Sequence, residues 1–118
     1  MKVISSKVHA VLDYATVVFL LLAPSLFGME GTLAHFTYAL AGVHFVLTAL
    51  TSFEYGLARV IPFKVHGYIE LVVAAALTGV AFWFKSNNSS TGFYFYLALA
   101  VVILVVYSLT DFSSSRTK

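Results

Sequence analysis

The chain contains no cysteine. Disulfide frameworks, thiolate metal sites and cysteine nucleophiles are therefore excluded. Charge is also scarce: 10% of the residues are Asp, Glu, Lys or Arg, against about 25% in a soluble domain. A net charge of +2 gives no basic face, so nucleic acid is not an expected partner. Proline occurs only twice, at Pro24 and Pro62, leaving long stretches without a helix breaker. No Gly-rich phosphate loop occurs. Ser5, Ser6 and the terminal serines have no His/Asp partner at nucleophile spacing. The expectation from these absences is a protein without catalytic activity.

What remains is apolar: 60% of the residues are hydrophobic. Four runs, 8–27, 33–53, 65–84 and 93–112, are each near the ~20 residues a helix needs to cross a bilayer core. A helix satisfies its own backbone in lipid, whereas a barrel would need shorter, alternating strands. The expected fold class is an all-α integral membrane protein of four transmembrane helices, with the lipid bilayer as its first partner. The first run is read as a span rather than a signal peptide, because it carries Asp13 and lacks a small-residue cleavage site. Lys2, Lys7, Arg59, Lys64, Arg116 and Lys118 fall on one side of such a bundle and Lys85 on the other. Positive residues mark the cytoplasmic side, so both termini are expected there.

The opening motif returns. Lys7-Val8-His9-Ala10-Val11-Leu12-Asp13 recurs 57 residues later as Lys64-Val65-His66-Gly67-Tyr68-Ile69-Glu70. Thr51-Ser52-Phe53 recurs at an offset of 59 as Thr110-Asp111-Phe112. This pattern predicts two tandem hairpins, about 7–53 and 64–112, in one bundle with approximate twofold symmetry. Two spans per copy return the chain to its starting side, which makes the copies parallel repeats. The larger second offset predicts a longer outer loop, 85–92, in the second copy. The connection, about 54–63, is expected on the membrane surface with Arg59 among the headgroups, and Pro62 is expected to set up the next helix. The tail 113–118 is expected to fray.

Helix one, KVHAVLDYATVVFLLLAPSLFG, resembles the bacterial SPW-repeat membrane proteins. Their hairpins carry a Lys/Arg-Val-His start, an acidic-Tyr pair and a Ser-Pro-Trp-Leu-Phe-Gly end. The matching residues are Lys7, Val8, His9, Asp13, Tyr14, Pro24, Leu26, Phe27 and Gly28. Ala23 stands where the family has Ser, and Ser25 where it has Trp. In the second copy the closing motif is reduced to Ala81-Phe82-Trp83-Phe84. The resemblance implies a four-helix protein of the bacterial inner membrane with no established activity, and supplies no catalytic residue.

Polar residues inside a bilayer are costly and need a reason. His9 and Asp13 are four apart, hence on one helix face, and so are His66 and Glu70. Thr37, His44, Thr48, Thr51 and Tyr55 form a stripe on the second run, matched on the fourth by Tyr96, Ile103, Tyr107, Thr110 and Ser114. If these faces meet, the inner half holds a cluster of His9, Asp13, His66, Glu70, Thr48, Thr51, Tyr107 and Thr110, with His44 nearer the midplane. Three readings of the cluster stand. In the first, histidines, hydroxyls and reaching lysines (Lys7, Lys64) satisfy the carboxylates and fix helix register, organising an accessory or binding protein. In the second, His9, Asp13, His66 and Glu70 hold a metal ion, or the two histidines bracket a haem iron. In the third, the pairs relay protons or ions or meet a quinone headgroup. Nine residues separate His35 from His44, which puts them ~180° apart on a helix and argues against a continuous wire.

Tyr14, Tyr55, Tyr68, Trp83, Phe93, Tyr94 and Phe95 lie near span ends, as interfacial aromatic residues do. Ala75 and Gly79, with Ala41 and Gly42, are expected to allow close helix approach. Such patches also suit a homo-oligomer or a larger membrane complex.

Overall fold

A computed structural model describes residues 2–51 and 55–112. Its four helices are α1 (Ser6–Leu26), α2 (Gly31–Ala49), α3 (Phe63–Ser86) and α4 (Ser90–Leu109). All four are long and apolar enough to cross a membrane, and among the described residues strand structure is limited to isolated bridges. Each helix follows its predicted run, but the ends move for identifiable reasons. Ser5 and Ser89 cap α1 and α4 by accepting from the amides of Val8 and Gly92, which satisfies a first-turn donor. Pro62 precedes α3 at its N-cap.

The helices α2 and α4 stop short of the predicted 53 and 112. The Leu50 carbonyl oxygen accepts from the amides of Val60 and Ile61, at 2.7 Å each. The Leu109 carbonyl oxygen accepts from Val3 at 2.8 Å and from Ile4 at 2.9 Å. Carbonyls orphaned at a helix end need such donors, and the segments running into α1 and α3 supply them. Two parallel bridges, Ile4 with Thr110 and Thr51 with Ile61, belong to the same arrangement. The same knot of contacts thus occurs twice, and each copy ties the end of one hairpin to the start of the other. Ser52, Phe53 and the tail 113–118 lie outside the described residues.

The second external turn, expected over 85–92 and slightly longer than the first, is instead the shorter of the two, against residues 27–30 between α1 and α2. Only Asn87, Asn88 and Ser89 separate α3 from α4. Asn88 takes a left-handed conformation, φ 63°, and the Ser89 amide returns to the Phe84 carbonyl oxygen at 2.8 Å. Asparagine tolerates that conformation better than most residues with a side chain. The extra length of the second copy lies in α3, which has 24 residues against 21 in α1.

The outer half of the bundle is packed by Ala23, Leu33, Leu77, Ala81, Phe84, Tyr96 and Ala100. The Tyr96 hydroxyl donates to Thr37 Oγ1 at 2.5 Å, and the Thr37 hydroxyl donates to the Leu33 carbonyl oxygen at 2.8 Å. Ala23, Ala41, Ala74, Ala81 and Ala100 are buried on the inward faces of the helices, where small side chains allow close approach. The expected small-residue pair Ala75 and Gly79 is exposed instead, as is Gly42. Helix phase explains this: Ala74 turns inward, so its neighbour Ala75 turns out. Gly67 does meet a tight neighbour, since a Cβ there would stand 2.7 Å from the Phe112 ring.

Candidate metal centre

The half of the bundle nearer residues 2 and 112, here termed the inner half and its opposite the outer half, carries the cluster. His9, Asp13, His66 and Glu70 are all buried, and one ligand atom from each lies within 4.8 Å of the others. Helical spacing delivers each pair to one face, and the bundle sets the two faces against each other. His9 Nε2 is 3.4 Å from Asp13 Oδ2 and 3.1 Å from Glu70 Oε1. His66 Nε2 is 3.0 Å from Asp13 Oδ2 and 3.1 Å from Glu70 Oε2. Each histidine therefore meets the carboxylate of its own helix and that of the other hairpin.

The far side of each ring is fixed by a threonine. His66 Nδ1 is 2.7 Å from Thr51 Oγ1, and His9 Nδ1 is 2.9 Å from Thr110 Oγ1. The Thr51 hydroxyl lies 2.6 Å from the Leu47 carbonyl oxygen, and the Thr110 hydroxyl 2.5 Å from the Val106 carbonyl oxygen. Two oxygens that close need the hydroxyl proton between them. The threonine oxygen then has only lone pairs left for the imidazole, so Nδ1–H donates in both rings. Both Nε2 atoms are left facing carboxylate oxygen, and a proton or a metal ion must stand between.

The two Nε2 atoms converge on Glu70 Oε2, at 3.3 and 3.1 Å. Asp13 Oδ2 and Glu70 Oε1 are buried without a well-directed hydrogen bond, despite their short distances to the imidazoles. His44 stands at the edge, with Nε2 3.7 Å from Asp13 Oδ1, beyond hydrogen-bond distance.

Several expected members are placed differently. Thr48 is buried, but its hydroxyl donates to the His44 carbonyl oxygen of its own helix. Tyr107 is half-buried with its ring against Phe112, and among the described residues its hydroxyl bonds no cluster member. Lys7 and Lys64 are exposed, and among the described residues the ion pairs of Asp13 and Glu70 are with histidines alone. The lysines sit next in phase to outward-facing positions of α1 and α3, two residues before the buried His9 and His66. Arg59 is exposed in the connection, and His35 is exposed on α2.

The sequence reading missed the aromatic floor. Phe63, assigned there to the connection, is the first residue of α3 and fully buried. Its ring centroid lies 5.3 Å from that of His9 and 4.7 Å from that of Phe112. The available signal was its position three residues before His66, on the same helix face.

Four ligands held ~2.0–2.1 Å from a tetrahedral ion stand ~3.3 Å apart; the four histidine–carboxylate separations are 3.0–3.4 Å, and the whole set lies within 4.8 Å. The two imidazoles meet edge to face with centroids 5.4 Å apart, and carboxylate oxygens fill the space beside them. A porphyrin does not fit between such rings. No protein-family model, curated protein or solved structure matches the chain.

Proposed function

We propose that this chain is a multi-pass membrane protein that binds one divalent transition-metal ion through His9, Asp13, His66 and Glu70. The observation that carries the reading is the pair of threonine-fixed imidazoles, whose Nε2 atoms converge with two carboxylates in a buried site. Ligating histidines usually donate their other N–H to an acceptor that fixes the ring. Thr51 and Thr110 do so here. Two imidazoles and two carboxylates without thiolate suit zinc, iron(II) or manganese(II).

Charge supports the same reading. Two carboxylates are balanced by one divalent ion or by two imidazolium protons. With protons, two N–H donors serve four oxygens, and Asp13 Oδ2 and Glu70 Oε1 lie 3.0–3.4 Å from imidazole nitrogens without a well-directed hydrogen bond. An ion engages them without needing a directed proton. Binding then exchanges two protons for one metal ion.

The setting is read as the bacterial inner membrane with both termini cytoplasmic, in line with the positive residues and the SPW-repeat likeness. An apolar exterior including Val18, Leu21, Leu22, Val72, Val101 and Val105 suits lipid. The paired contacts at Leu50 and Leu109 suit one hairpin duplicated. The role is binding rather than catalysis. The apolar core around Phe84 and Tyr96 in the outer half supports binding over a through-path for protons.

The test is metal content per chain, by mass spectrometry, after purification in mild detergent and dialysis against zinc, iron(II) or manganese(II). About one ion per chain is expected, and none in Glu70→Gln, which keeps a hydrogen-bonding amide and the helical spectrum. No ion in the wild type under any of the three would leave the cluster as a proton-bridged helix contact.

A further inference from the structure

Two cavities adjoin, one between α1 and α4 and one in the interior among all four helices. The outer is a groove of about 710 Å³ between α1 and α4, walled by Ala15, Phe19, Phe95 and Ala98 among others. The inner is a pocket of about 50 Å³ reaching Asp13, Glu70 and His44. Leu12, Thr16, Leu99 and Val102 line both. The two cavities therefore adjoin, the groove at the apolar exterior and the pocket at the edge of the metal centre.

The inner pocket is polar at His44. This histidine is outside the metal quartet, and its Nε2 is buried without a hydrogen-bond partner. Ile103 holds the corresponding place on α4, so the polar end is one-sided. Its nearest charged neighbour, Asp13 Oδ1, is 3.7 Å away, too far for a hydrogen bond; a buried imidazole nitrogen without one is costly, and a ligand hydroxyl supplies it in either tautomer, since it both donates and accepts. The groove is nearly all apolar and suits an alkyl chain and a flat ring.

Resting on the membrane reading above, we propose that the groove takes a lipid-soluble quinol or phenol from the bilayer, its tail and ring between α1 and α4 and its hydroxyl on His44. The inner pocket is too small for a phosphate-bearing headgroup, which sets ordinary phospholipids aside.

The experiment measures the thermal midpoint of the detergent-purified protein with decyl-ubiquinol or with decylbenzene, which has a tail and ring but no hydroxyl. The quinol is expected to raise the wild-type midpoint by several degrees and decylbenzene to do so by much less. His44→Leu should lose the difference between the two ligands, and Ala98→Trp, which fills the groove, should lose both shifts. Equal shifts from the two ligands in the wild type, a difference that persists in His44→Leu, or an undiminished quinol shift in Ala98→Trp would overturn the proposal. Metal content is read on the same samples. Neither variant removes a quartet ligand, so loss of the metal reading and loss of this one are seen separately.

Discussion

The two halves of the bundle solve the same problem differently. In the outer half, Thr37 and Tyr96 meet across the interior and close with one hydrogen bond between neutral groups. In the inner half, two histidines and two carboxylates meet, and two carboxylate oxygens lie beside imidazole nitrogens without a well-directed hydrogen bond. Both sets of faces are buried by the same four helices. The outer half joins its helices with apolar packing and a single neutral polar contact. The inner half carries more charge than that, and buried charge is expensive unless balanced. That excess is the reason to read the inner half as a ligand site.

The largest expected effect breaks the inner balance. Glu70→Leu leaves Asp13 and two imidazoles without their fourth partner, and removing one member of a buried charged set costs ~3–5 kcal/mol. Detergent melts should show that loss, while Glu70→Gln stays near the wild type. A Glu70→Leu variant as stable as wild type would remove the argument from charge.

Next is the threonine support. Thr51→Val or Thr110→Val frees Nδ1 of one histidine and should weaken metal binding ~10–100-fold, read by competition with a chelator. Thr37→Val in the outer half should leave metal affinity unchanged. Equal effects of the inner and outer threonines would erase the contrast between the halves.

A third change acts on packing alone. Gly67→Ala puts a methyl against Phe112, and overpacking costs ~1–3 kcal/mol. Thermal melts should register this, with metal stoichiometry retained. The smallest effect is Tyr96→Phe, which removes one neutral hydrogen bond worth ~1 kcal/mol and should move stability slightly and metal content not at all.

Much of this was legible in the chain itself. Apolar run length located four helices to within a few residues, because hydropathy and helix rise are local properties. The spacing of His9 with Asp13 and of His66 with Glu70 put each pair on one face for the same reason. Helix ends were less legible, since the carbonyls of Leu50 and Leu109 are satisfied from outside their own helices, Leu109 by residues at the other end of the chain.

The sequence determined the helices, the two matched pairs and the absence of thiol chemistry. Only the tertiary structure decided that the pairs face each other, that Thr51 and Thr110 rather than Thr48 and Tyr107 support them, and that Phe63 closes the floor. The physical reason is that each of these contacts joins different segments of the chain. Local periodicity sets which way a side chain points on its own helix, and packing alone sets what it meets.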